Sequence, residues 1–184
     1  MGIGTFGAAR PLHRLLPSMT IWLSRPVLGK IQKLGIRYYP VETGGVLLGW
    51  RDGADRIVTG LLGSGPKALH GRHAFLPDHA WQMIHIREAF EGSSGDLDYL
   101  GDWHTHPDGV ASMSDLDCRT LSKIARRVKS PLMMIAAGGG STWTINGWLG
   151  SRSSFWRRLS PNLETIRLLD PPEAWPSYFE DSEQ

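Results

Sequence analysis

One cysteine, Cys118, stands in the whole chain of 184 residues. A lone thiol excludes an intramolecular disulfide framework and suits a reducing compartment. It also excludes zinc sites that need two or more thiolates, including the His/Cys/Cys and Cys₃ sets of zinc deaminases. Cys118 itself reads as a buried small hydrophobe rather than a ligand or nucleophile. No run is long and apolar enough to cross a membrane, and the first twenty residues lack the hydrophobic core of a secretory signal. Nor does Met1-Gly2 lead to Ser or Thr at the sixth position, which is Phe6, so myristoylation is not expected. The expectation is a cytoplasmic protein with no membrane segment. Charge of either sign is scarce in excess: 20 Lys and Arg against 18 Asp and Glu leave +2. With no nucleic-acid-binding module, the basic run Arg119, Lys123, Arg126, Arg127 and Lys129 reads as a solvated face.

What is present fits one compact domain with a sizeable core, at 41% hydrophobic and 21% charged residues. The informative stretch is His104-Thr-His106-Pro107, followed by Ser114 and Asp117. Tyr99 to Trp103 leads into it as a strand, in which residues two apart face the same side. His104 and His106 therefore face one point, and Pro107 ends the strand. Residues 115–129 show apolar positions at helical spacing, which puts Asp117 in the first turn of a helix. Two imidazoles and that carboxylate make a three-ligand Zn²⁺ set with an open position. Ser114-x-x-Asp117 also has the form of a capping box at a helix start.

Glu42 is the second feature. It precedes Gly44-Gly45-Val46-Leu47-Leu48, an apolar strand whose glycines permit close backbone approach. A Glu at the mouth of a buried strand is costly unless it meets a cation, a proton or donors. Beside a metal it would serve as general base and then general acid; the alternative is a surface Glu at a strand edge.

These residues together resemble the JAB/MPN/Mov34 family, the JAMM metallopeptidases. The family pattern is a Glu, then His-x-His-Pro, six residues, Ser, two residues and Asp, and Glu42, His104, His106, Pro107, Ser114 and Asp117 match it without a gap. The resemblance implies one Zn²⁺ held by His104, His106 and Asp117, a water activated by Glu42, and charge stabilisation by Ser114. It implies an α/β fold with a mixed sheet flanked by helices, similar to the cytidine deaminase architecture. It also implies cleavage after the C-terminal Gly of a ubiquitin-like protein or its conjugate. Stand-alone prokaryotic members of this kind accompany E1- and E2-like operon partners, including those of anti-phage signalling. The alternatives on the same site are a sulfur-carrier-protein peptidase, a small-molecule amidase or a non-catalytic scaffold subunit.

The expected organisation is a flexible segment over 1–18, the JAB/MPN domain over 19–169 and an acidic tail over 170–184. Within the domain, the pattern predicts a helix over 25–38 despite Gly29 and Gly35, and a hairpin of strands 44–50 and 56–62. A helix capped by Asp78 runs to about Phe90, and strands follow at 131–137 and 142–149. His70, Arg72 and His73 read as cleft-edge or surface residues. His79 and His85, six apart, do not share a helix face and suggest no second metal.

Overall fold

A computed structural model describes residues 19–152 and 159–181. The order is β1 (Thr20–Ser24), α1 (Arg25–Tyr38), β2 (Gly44–Asp52), β3 (Asp55–Leu62), β4 (Leu69–His70) and β5 (Phe75–Leu76). Then come α2 (His79–Gly92), β6 (Asp98–Pro107), α3 (Asp115–Ile124), β7 (Leu132–Gly139), β8 (Thr142–Arg152), β9 (Leu159–Leu169) and β10 (Phe179–Glu180).

The main sheet runs β1-β9-β8-β7-β6-β2-β3-β10, and β1 also pairs in parallel with β3 at Ile21/Arg56 to Leu23/Val58. That last pairing closes the sheet into a ring. The mixed α/β architecture expected from the sequence is present, and closure is what the sequence reading did not contain. It satisfies strand edges that would otherwise be open to other chains.

Two faces of the sheet carry different cores. Inside the ring, Ile21, Leu23, Leu47, Val58, Leu61, Leu100, Trp103, Leu132 and Met134 meet Val27, Ile31 and Leu34 of α1. Burying each such aliphatic side chain contributes about 1.5–3 kcal/mol. Outside, α2 covers Val46, Leu48 and Leu62 through Ala89, while Leu121 of α3 meets Met133, Ile135 and Trp148. The alternation of Leu47 inward with Val46 and Leu48 outward is the period-2 rule at work.

Helix α1 begins where Ser24 accepts from the Val27 N–H, with Pro26 in the first turn. Its two glycines have different reasons. A β-carbon at Gly29 would meet nothing, whereas one at Gly35 would press on the Trp143 ring at 3.0 Å. Helix α3 is shorter than the 115–129 expected: Ala125 caps it and residues 126–128 form turns. Leu116, one of the apolar residues within that 115–129 pattern, is exposed. Cys118 is half-buried rather than buried as expected, and the basic residues from Arg119 to Lys129 are exposed. Trp143 and Trp148 are buried, and Trp175 packs edge-on against Trp50. Trp156 and the 1–18 segment lie outside the described residues.

The described part of the acidic segment runs along the domain. Phe179 and Glu180 pair with Leu61 and Leu62, Thr59 donates to the Pro176 carbonyl, and Lys30 pairs with Asp181.

Candidate metal centre and active site

The site is assembled at the C-terminal end of β6, where it meets the start of β2 and the first turn of α3. Register sets it up. Gly44 lies opposite His104 on the antiparallel β2–β6 ladder, so Glu42, two residues earlier, comes level with His106. Thr43 and Thr105 extend the pairing, with the Thr105 N–H donating to the Thr43 carbonyl at 2.8 Å and the Thr43 N–H to the Thr105 hydroxyl at 2.9 Å. Between the two reactive levels, Gly44 has no side chain. A β-carbon there would run into the Trp103 carbonyl and the Phe75 ring.

Alternation on β6 then sorts the residues. Trp103 goes to the ring interior, while His104 emerges on the face that carries Ile135, its partner on β7. Helix α3 covers that face. Its N-terminus brings Asp117 to the histidines, with Asp117 Oδ1 3.1 Å from His104 Nε2 and Oδ2 3.5 Å from His106 Nε2. The two Nε2 atoms are 3.0 Å apart. A tetrahedral ion with bonds of about 2.0–2.1 Å holds its ligand atoms about 3.3 Å apart, so the three side chains are spaced as ligands of one divalent metal. Among the described residues, His104, His106 and Asp117 are the cluster of such groups able to hold an ion.

The tautomer of His106 follows from its other nitrogen. Nδ1 lies 3.2 Å from the Val110 carbonyl, which can only accept. The Nδ1 proton is therefore fixed there, and in the neutral ring the Nε2 lone pair is left for a metal. The three groups polarise one another. The hydrogen bond to Asp117 raises the pKa of His106 against its burial. Burial opposes ionisation of Asp117, but hydrogen bonds from His104, His106 and Ser114 carry its pKa well below the usual carboxylate range. Metal binding competes with protons for the imidazoles and so weakens in acid.

Glu42 is buried at 8% exposure, and burial raises its pKa, opposed by the fields of His104 and His106. It lies between two cavities. One, of about 490 Å³, is lined by Glu42, Arg72, His73, His106, Ser114 and Asp117. The other, of about 350 Å³, is lined by Glu42, Phe75, Leu76, Asp102, His104 and Asp117. The structure thus brings together all five residues singled out from the sequence. The surface-Glu alternative does not describe Glu42.

Ser114 fulfils the capping-box pattern. Its hydroxyl accepts from the Asp117 N–H at 3.2 Å, while its own N–H and hydroxyl both donate to Asp117 Oδ2 at 2.7 Å. The cap and the site are the same contact. Arg72 and His73 stand at the cleft edge as expected, whereas His85 contacts Tyr178 and Glu88 away from it.

Two residues near the centre have roles that the sequence does not announce: Asp102, and His70, which is not the surface residue expected but a part-buried partner of Glu42. Asp102, two before His104 and so on the same face, lines the second cavity and receives the Tyr99 hydroxyl at 2.7 Å. A charged residue at alternate spacing from His104 was the available signal. The other is His70, whose Nδ1 lies 2.8 Å from the Glu42 carbonyl. That contact joins a side chain of the two-residue strand β4 to backbone and has no periodic signature.

The model of prokaryotic homologs of the JAB domain matches residues 24–157. The chain belongs to the prokaryotic JAB family. The JAMM-type metallopeptidase expected from the motif is borne out at that level. This Prok-JAB chain is 31% identical over 155 residues to a probable metalloprotease, y4qB, of Sinorhizobium fredii, covering 79% of the chain and 94% of that protein. It is 36% identical over 111 residues to the CD-NTase/cGAS isopeptidase of Vibrio cholerae, covering 60% of the chain and 67% of that protein. The corresponding Escherichia coli isopeptidase is 27% identical over 108 residues, covering 58% of the chain and 67% of that protein. In fold, the Prok-JAB chain is similar to the solution structure of protein DSY2949 from Desulfitobacterium hafniense. The TM-score is 0.62 at 21% identity, covering 84% of the chain and 95% of that structure. Among the described residues no helix is long and apolar enough to cross a membrane.

Proposed function

We propose that this Prok-JAB domain is a zinc-dependent peptidase or isopeptidase, with one Zn²⁺ on His104, His106 and Asp117 and with Glu42 as its proton-transfer group. The observation that carries the reading is the placement of Glu42, a buried carboxylate of raised pKa, on the walls of both cavities that expose the ligand cluster. Two imidazoles and one carboxylate suit zinc, and leave a fourth position open. When bound, the ion supplies a Lewis acid for the scissile carbonyl and a more acidic water.

The chain's own groups do the rest. Glu42 takes a proton from the attacking water at a carboxylate oxygen and returns it to the departing amine as the C–N bond breaks. Its partial desolvation brings its basicity closer to that task than an exposed glutamate offers. Ser114 holds Asp117 in place. Its hydroxyl proton is committed to Asp117, so a direct role in stabilising a developing oxyanion requires that bond to open once Asp117 is neutralised by a cation.

For substrate we propose the extended C-terminal tail of a ubiquitin-like protein, cut after its terminal Gly from an amine or peptide. Two isopeptidase-named relatives support this reading. So does the site itself, which is bordered by the short β4–β5 hairpin, whose Leu76 is exposed on the wall of the 350 Å³ cavity and whose Leu69, paired with it, is exposed too. An extended peptide can pair with such an edge. E1- and E2-like operon partners and a role in antiviral signalling follow from the same reading.

The test is to incubate the zinc-loaded protein with a ubiquitin-like fusion and with small acyl-amino acids. Cleavage of the fusion after its Gly, lost in Glu42→Ala, is expected. Cleavage of neither substrate, or cleavage undiminished in Glu42→Ala, contradicts the mechanism.

A further inference from the structure

We propose that His70 is a positioning residue for Glu42, holding the base through its backbone from the β4–β5 hairpin. The proposal rests on the reading of Glu42 as the proton-transfer group. It starts from where the backbone of Glu42 finds its partners. Thr43 turns toward β6 and bonds Thr105. Glu42 therefore faces the other way, and β3 is no longer there, since its last residue, Leu62, lies opposite Val46. Unpaired, the N–H and carbonyl of this largely buried residue would each be destabilising.

The hairpin takes β3's place. The Glu42 N–H donates to the Gly71 carbonyl at 2.7 Å, and the Glu42 carbonyl lies 2.8 Å from His70 Nδ1. A carbonyl cannot donate, so Nδ1 carries the proton. In the neutral ring Nε2 is then left as an acceptor, facing the buried Ser64 hydroxyl at 3.4 Å.

The ring itself is held. Tyr38 stacks on it at 4.3 Å between centroids, and Phe75 lies parallel at 6.4 Å. Phe75 also fills the space that Gly44 leaves beside the site. The chain of contacts runs from Ser64 through His70 to the peptide of Glu42. Tyr38 braces it from the end of α1. His70 touches neither the metal ligands nor the reacting atoms on this geometry, and it acts by fixing φ and ψ at the base. A misplacement of about 1 Å at a reacting group can cost about a hundredfold in rate.

Isosteric variants separate positioning from packing. The side-chain N–H of His70→Asn can stand near the position of Nδ1, whereas that of His70→Gln reaches toward Nε2. Both keep a polar, partly buried side chain, so they remain informative if His70→Ala does not fold. With the fusion substrate, kcat should fall on the order of tenfold to a hundredfold in His70→Ala and His70→Gln, with KM changed by less than about twofold. His70→Asn should restore most of the loss, and zinc content should stay unchanged in every folded variant. Equal loss in Asn and Gln, or no loss in folded His70→Ala, overturns the proposal. A second readout needs no turnover: imidazole ¹⁵N spectra of the full chain near pH 8 should show His70 protonated at Nδ1. A bare Nδ1 overturns the His70 contact, whereas absence of cleavage by the wild type counts against the peptidase reading instead.

Discussion

Ser114 fixes the carboxylate of Asp117 from behind: its N–H and its hydroxyl both donate to Oδ2 at 2.7 Å, and the Asp117 N–H returns a bond to the same hydroxyl at 3.2 Å. A helix cap is thereby also the outer support of a metal ligand. Such partners orient ligands and tune their affinity.

Replacing Ser114 with Ala removes both functions. The expected outcome is a loss of about 1 kcal/mol in unfolding free energy from the lost cap. Zinc affinity should fall by roughly tenfold to a hundredfold, as for other supporting partners of metal ligands. Denaturant melts of the metal-free protein and competitive zinc titration check the two effects separately. Unchanged zinc affinity would mean that Ser114 serves only the helix.

Glu42 should make the metal-free protein less stable at neutral pH than Glu42→Gln. Burial raises its pKa above the ordinary 4.5, so the folded state holds the proton more tightly than the unfolded state. Stability from this group is then fully present below the unfolded value and is lost as pH rises through the folded one. The variant should gain stability relative to wild type across that window, with the difference vanishing in acid. Melts from pH 4 to 8 (about the range where such shifts act) measure it.

Asp55 carries the opposite sign. It accepts the Thr20 N–H at 2.9 Å and the Trp22 indole at 3.0 Å, tying β1 to β3 where the ring closes. The Thr20 bond, then the Trp22 bond, lower its pKa. Its contribution is present above the unfolded value and lost as pH falls through the folded one. Asp55→Ala should cost about 1–2 kcal/mol at neutral pH. That gap should shrink on acidification, as read by urea midpoints of the two proteins.

Local periodicity made part of this molecule legible. The helix over 25–38, the Asp78 cap and the β2–β3 hairpin rest on contacts within a few residues, and the structure places them where the pattern did. The ring closure did not show, because β1 joins β3 on one side and the sequence-distant β9 on the other, as where Ile21 pairs with Ile166. Nothing in Thr20–Ser24 announces such a parallel partner. Likewise β9 contains Pro161 and Glu164 and does not read as a core strand, yet it joins β8 to β1. The end of α3 was overrun because apolar spacing continues through Val128 after the backbone has already turned at Ala125.

The site divides the same way. Strand alternation yields His104 and His106, and a capping pattern yields Ser114 and Asp117. The link to Glu42 comes from β2–β6 register and was legible only through the resemblance to the JAMM pattern. The role of His70 was legible through neither, since it grips a peptide carbonyl from a two-residue strand too short to carry a periodic pattern.

The most direct test of the account follows zinc content and peptide cleavage together in one preparation of Glu42→Gln. The expected result is one zinc per chain, as in the wild type, with cleavage of the ubiquitin-like fusion reduced by at least about a hundredfold, the lower range for losing acid–base catalysis. Wild-type cleavage rates in that zinc-loaded variant would contradict it.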